Sequence, residues 1–192
     1  MKETLAIIGA LVAIAGNLPY LWDILRGRVQ PHPYTWLVGA IVSGTVFFGI
    51  LTKGAGIGAL PIAVSEFFTV IIFLFSLKYG FKGITNADKI FLAVALLALI
   101  PWFFTKDPTL SIVIAVGIDL ASLVPTFRKT WKRPSTETPL LYGSNALRHT
   151  LVLFSLQTYN IATTLHSIAM VIVNVGLTTI ILWHKKSSTI KK

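Results

Sequence analysis

Five polar or ionisable side chains stand isolated in long apolar stretches. They are Glu66 in Val64-Ser65-Glu66-Phe67, Asp119 in Gly117-Ile118-Asp119-Leu120, the tandem Arg148-His149, and Asn174. An ionisable group at the centre of a bilayer costs about 2.5–3.5 kcal/mol on insertion scales, so such residues are rare and default to function. Two chemistries suit them: holding a polar solute, or letting a carboxyl take up and release a proton. Asn145 and Asn17 complete the candidate substrate-binding set. Each has a competing structural reading. Glu66 or Asp119 could pair with Arg148 simply to hold helices together, and His149, beside Arg148, could face away from any site. Asn17 could bond backbone groups freed by the nearby Pro19. His166 reads as a rim residue toward the outer end of the last helix.

Other chemistries lack their residues. No Gly-rich dinucleotide fingerprint, phosphate-binding loop or His-Glu-x-x-His pattern occurs, there is no cysteine, and His32, His149, His166 and His184 lack paired ligand spacing. No nucleophile and base share a helix, and the last helix has no mid-span lysine for a Schiff base. The chain is therefore expected not to be an enzyme, with no cofactor and no metal.

These residues need a membrane to make them unusual, and the composition supplies one. Of 192 residues, 54% are hydrophobic and 12% charged, about half the ~25% charged of a soluble domain. Mean hydropathy is +0.75. The net charge of +10 would suggest nucleic acid in a soluble protein. Here the basic residues sit in loops and at the C-terminal end, which points to topology, with no nucleic-acid partner.

A spanning helix needs ~20 mostly apolar residues. Seven are expected, at 4–25, 34–53, 57–79, 88–105, 108–128, 139–157 and 160–184. Turn formers mark the breaks: Arg26-Gly27-Arg28, Gly54-Ala55-Gly56, Gly80-Phe81-Lys82-Gly83, Asp107-Pro108 and Arg133-Pro134-Ser135. The first apolar run continues to Leu25 and follows a leader, Met1-Lys2-Glu3, with no net charge beyond the amino terminus, so it reads as a helix and not as a cleaved signal. The short basic tail after Trp183 reads as mobile. With seven spans, one face collects 13 Lys and Arg and the other only Lys2, Lys53 and Lys106, Arg148 lying within a helix. The positive-inside rule then sets the N-terminus outside and the C-terminus in the cytoplasm.

The chain also carries one motif twice. Pro19-Tyr20-Leu21-Trp22 leads, through a basic proline-bearing stretch, to Pro33-Tyr34-Thr35-Trp36. Pro125-Thr126-Phe127-Arg128 leads likewise to Pro139-Leu140-Leu141-Tyr142. An offset of 106 residues superposes Pro19 on Pro125, Pro33 on Pro139 and Trp36 on Tyr142. Two odd-numbered triplets need an extra helix between them to run in the same direction. The expected fold is thus an all-α membrane protein of seven transmembrane helices, a 3+1+3 arrangement of parallel triple-helix-bundle repeats. Residues 1–80 form the first repeat, 81–107 the linker helix, 108–186 the second repeat and 187–192 a basic tail. Pro19 and Pro125 are candidate hinges. Trp36 and Tyr142 suit an inner gate or an aromatic belt, and Trp22, Trp131 and Trp183 suit the belt. Asp23 near Arg26 reads as a helix-end salt bridge. Gly39, Ala40, Ser43, Gly44, Gly56 and Gly58 read as packing positions.

With a proline near the inner end of the first helix of each triplet, and Arg128-Lys129-Thr130-Trp131-Lys132-Arg133-Pro134-Ser135-Thr136-Glu137 as a basic Ser-Thr-Glu linker after the second, the chain resembles the SWEET and PQ-loop (MtN3/saliva) superfamily. It departs from that pattern in two places. Tyr20 and Thr126 stand where the motif glutamine would follow the proline, and Gln30-Pro31-His32-Pro33 replaces the first Ser-Thr linker. The resemblance implies a transporter that alternates access between the bundles. It also implies substrate-binding positions on helices three and seven, which fall at Glu66 and Asn174. An acidic Glu66 there implies either a cationic or zwitterionic small-molecule substrate or a proton-binding carboxyl, in which case coupling would run through Glu66 or Asp119. The alternative is a receptor or binding protein of the same fold, without net transport. The lipid bilayer, a second copy of the chain and a prokaryotic inner membrane complete the expected setting.

Overall fold

The computed structural model describes residues 1–104 and 108–190; Lys106, Lys191 and Lys192, counted in the charge asymmetry, and Asp107, placed at one of the breaks, lie outside them. The described residues form seven α-helices, two short 3-10 turns and no strand. The helices are α1 Lys2–Leu25, α2 Pro33–Thr52, α3 Leu60–Tyr79, α4 Asn86–Phe104, α5 Pro108–Lys132, α6 Pro139–Ser155 and α7 Ile161–Ile190. Four stretches, Lys2–Leu25, Pro33–Thr52, Gly56–Tyr79 and Ile161–Lys185, are long and apolar enough to cross a membrane. That is the character of an integral membrane protein.

Local chemistry sets the helix ends. Gly27 and Gly54 adopt φ of 68° and 82°, the left-handed conformation that glycine takes without a Cβ penalty. After α1, the Gly27 N–H donates to Ile24 O at 3.0 Å and the Arg28 N–H to Asp23 O at 2.9 Å. After α2, Gly54 and Ala55 donate to Leu51 and Ile50 in the same way. Both are Schellman closures, which satisfy last-turn carbonyls. The first reverses the chain so that Arg28, not Arg26, meets Asp23, at 3.4 Å. Arg26 instead lies over the Trp22 ring, 4.5 Å from its centroid.

Prolines open α2 and α6 at their first position, where the missing N–H costs nothing. Two other starts are capping boxes. Thr85 and Asp88 exchange hydrogen bonds at α4, through Thr85 N–H to Asp88 Oδ2 at 2.7 Å and Asp88 N–H to Thr85 Oγ1 at 3.3 Å. Asn160 and Thr163 do the same at α7, both bonds at 3.0 Å. The Thr85 cap places the start of α4 two residues earlier than apolarity alone suggested.

Two helices run longer than expected for a common reason. α5 continues through Arg128-Lys129-Thr130-Trp131-Lys132 because no residue there breaks a helix and cations suit a helix C-terminus. It stops because Pro134 disfavours helical backbone at Arg133. α7 likewise passes Trp183 to Ile190, so its basic end is helical where a mobile tail was expected.

Packing follows a repeated order. α3 packs on both α1 and α2, whose backbones stay apart and which meet through the Tyr20 and Trp36 rings; α7 packs on both α5 and α6, whose backbones also stay apart among the described residues. The two sets meet through α1 on α6 and α2 on α5, and α4 packs on α5 and α2. Gly16 permits the α1–α6 approach, since a Cβ there would stand 1.8 Å from Ser144 Oγ. One apolar cluster, with Val46, Ile50, Ala59 and Val152, gathers toward the α2–α3 turn. Another, with Ile24, Ile72, Leu177 and Ile181, gathers toward the opposite ends.

Candidate functional site

A cavity of about 110 Å³ lies among α2, α3, α5, α6 and α7. That is well above the ~10–15 Å³ one water needs. Each helix contributes a stripe at helical spacing. α2 gives Trp36, Gly39 and Ser43; α3 gives Ser65 and Thr69; α5 gives Asp119, Leu123 and Thr126. α6 gives Tyr142, Asn145, Arg148 and His149, and α7 gives His166, Met170 and Asn174. Steps of three and four residues keep each set on one helix face.

The sequence candidates separate clearly. Asp119, Asn145, Arg148, His149 and Asn174 meet in the cavity wall, with Trp36 and Tyr142. Glu66 does not line it. Its carboxylate faces Ser43 and Gly44 of α2, and its Oε2 is buried without a partner. Asn17 also lies outside the wall. It is buried and donates to Ala13 O at 2.7 Å, whereas the carbonyl that Pro19 deprives of its donor is that of Ala15. Asn174 donates to Met170 O at 2.7 Å. Pro19 and Pro125 sit inside α1 and α5. Gly39 and Ser43, expected only to pack, line the cavity.

The charged residues do not pair as expected. Arg148 has no carboxylate within 4.0 Å among the described residues. Its Nη2 lies 2.8 Å from His149 Nε2 and its Nε 3.4 Å from Asn145 Oδ1. A guanidinium only donates, so His149 Nε2 accepts. That places the imidazole proton on Nδ1, 3.3 Å from Ser167 Oγ, and keeps His149 neutral. His149 therefore faces the site as the clamp of Arg148. Asp119 pairs instead with His166, Oδ2 to Nε2 at 3.3 Å. His166 is buried, not a rim residue, and its ring centroid stands 5.5 Å from that of His149. Its position was legible: His166, Met170 and Asn174 are spaced along one helical face.

Beyond Trp36 and Tyr142 the cavity is bordered by groups that lie far apart in the sequence. Tyr20 stacks near Trp36, centroids 5.8 Å apart, and donates its hydroxyl to Glu137 Oε2 at 2.9 Å. Lys129 Nζ, fully buried, donates to Glu137 Oε1 and to Gln30 O. The Gln30 N–H donates to Thr136 O at 3.0 Å. The two proline-bearing linkers are thus stitched together across the halves. A second buried cluster adjoins it, in which Asp88 binds Arg128 and stands 3.6 Å from His32. Burial pulls the His32 imidazole down to about 4, against the opposing pull of Asp88.

Comparison with protein families, with characterised proteins and with solved structures found no match to this chain.

Proposed function

We propose that the protein is an integral membrane transporter that moves a small polar solute by alternating access between two three-helix bundles. The single observation that carries this reading is the cavity. It gathers a cation, a carboxylate, two histidines and two asparagines from three helices in the interior of an apolar helical protein. Polar groups in that position are costly and mark a pathway or a site.

In this reading all seven helices span the bilayer, with the N-terminus outside. α1–α3 and α5–α7 form parallel repeats, and α4 restores the direction of the second. The packing order, α3 between α1 and α2 and α7 between α5 and α6, supports the repeat, as does the doubled proline motif. The stitched linkers form the closed cytoplasmic gate; opening requires the Lys129–Glu137–Tyr20 contacts to part while Pro19 and Pro125 let the inner half-helices swing. Proton coupling falls to Asp119 with His166, the carboxylate in the wall, ahead of Glu66, which stands one layer behind it.

The test is flux. Purified protein in vesicles is loaded with a candidate solute and assayed for exchange and for accumulation driven by a proton gradient. Exchange that Asp119→Asn preserves, with accumulation lost, supports coupled transport. Saturable binding with no exchange would replace the transporter by a receptor of the same architecture.

A further inference from the structure

Arg148 is 5% exposed, lines the cavity, and its Nη1 has no hydrogen-bond partner among the described residues. A guanidinium stays charged in proteins. Buried charges are otherwise paired, and buried donors without acceptors are rare. The rest of the group is committed: His149, itself fixed by Ser167, takes Nη2, and Asn145 takes Nε. Asp119, the carboxylate in the wall, is engaged by His166. Glu66, one layer behind the wall, acts on Arg148 through space and makes no ion pair with it, so one clamped donor edge of a permanent cation is left without an acceptor. Planar guanidinium geometry and charge match a carboxylate.

Resting on the transporter reading of this cavity, we infer that its solute is a small carboxylate whose oxygens accept from Nη1 of Arg148. The remaining wall, with Ser43, Ser65, Thr69 and Asn174, offers hydroxyls and an amide to the solute's other polar groups. The class differs from the cationic alternative that Glu66 suggested and still includes the zwitterionic one, because Glu66 is not in the wall. A positive group on the solute is not required.

Matched acid and amide pairs test this on the full chain in detergent. Lactate against lactamide, and alanine against alaninamide, are screened by thermal shift at equal concentration. At least one acid is expected to stabilise the protein while its amide does not. Arg148→Gln should weaken the acid about tenfold to a hundredfold, and Arg148→Lys should keep part of the affinity. Amides matching acids, silence from all four compounds, or acid binding that survives Arg148→Gln each overturn the inference. If Arg148→Gln does not fold, the acid-against-amide difference on the unaltered protein decides. Labelled lactate or alanine in vesicles separates the two readings. Binding at Arg148 without exchange sinks transport and leaves the carboxylate site standing. Exchange of alaninamide equal to that of alanine sinks the carboxylate site and leaves transport standing.

Discussion

In the proposed repeat, residues 106 positions apart correspond to one another and carry different chemistry. Ala13 corresponds to Asp119, Gly39 to Asn145, Val42 to Arg148 and Ser43 to His149. Trp36 and Tyr142, and Pro19 and Pro125, remain alike in kind. The first half contributes only neutral side chains to the cavity wall, and the second contributes its ions. The linkers differ in the same sense. Asp23 makes a half-exposed contact with Arg28, whereas Lys129, its counterpart, is fully buried against Glu137. On the proposed duplication, both halves keep the same backbone devices, namely proline, helix start and packing order. Charge in one half serves the whole site, because residues of both halves line one cavity.

The largest difference between the halves should appear on removing that buried cation. Lys129→Met leaves Glu137 buried and unpaired, which costs about 3–5 kcal/mol. Asp23→Asn, at the matching position, should cost less than about 1 kcal/mol, as exposed pairs do. Thermal unfolding of both variants in one detergent checks this. Adding Glu137→Leu to Lys129→Met should recover much of the loss, because the neutral pair has no orphaned charge. Equal shifts for Lys129→Met and Asp23→Asn would erase the proposed asymmetry.

The next effect is on transport. Asp119→Asn keeps an oxygen to accept from His166 Nε2 and removes the charge. Proton-driven accumulation should disappear while exchange persists. Glu66→Gln should lower accumulation several-fold at most, because Ser43 stands between Glu66 and the cavity. The reverse ranking in a vesicle assay would return the coupling role to the first half.

How far this was legible in sequence depends on the kind of information involved. Gly27, Gly54, Pro33 and Pro139 act on their own backbone, so the breaks they mark fall where a sequence reader puts them. Helix ends set by the absence of a breaker, at Lys132 and Ile190, were placed too early because apolarity ran out before helicity did. The candidate site was legible as a set and not as pairs. Isolated polar residues at helical spacing located Asp119, Arg148, His149 and Asn174. Partner choice needed helix rotation, which gave Asp119 to His166 and turned Glu66 toward Gly44. The Lys129–Glu137–Gln30 cluster was not legible, because Lys129 and Glu137 lie in a basic linker that reads as solvated until Gln30 is brought to it from the other half.

The prolines should give matched and smaller effects. Each deprives one carbonyl of its donor, Ala15 for Pro19 and Ala121 for Pro125, and loosens its helix at a corresponding depth. Alanine restores the hydrogen bond and should slow exchange in both variants by a similar factor, on the order of tenfold if opening limits the rate. Rates unchanged in both variants would remove the hinge, and a change in only one would mean that the halves do not move as equivalents.

The smallest effect concerns the residues before α2 and α6, His32 and Thr138, which stand 106 apart as the N-caps of those helices. Neither side chain makes a capping bond, so they differ chiefly in titration. Burial holds His32 to about 4 in the folded protein, below the ordinary value of about 6.5. The unfolded chain therefore binds a proton first as pH falls. The His32 contribution is level above about 6.5, declines as pH drops from there toward 4, and levels off once the folded protein also takes the proton. His32→Thr, which installs the residue of the other half, should lower Tm at pH 7 slightly through lost packing on Phe81. It should also shrink the fall in Tm between pH 7 and pH 5 by about a few degrees. A variant whose acid sensitivity equals that of the parent would show that the two linkers titrate alike, and that the buried histidine adds nothing to the distinction between the halves.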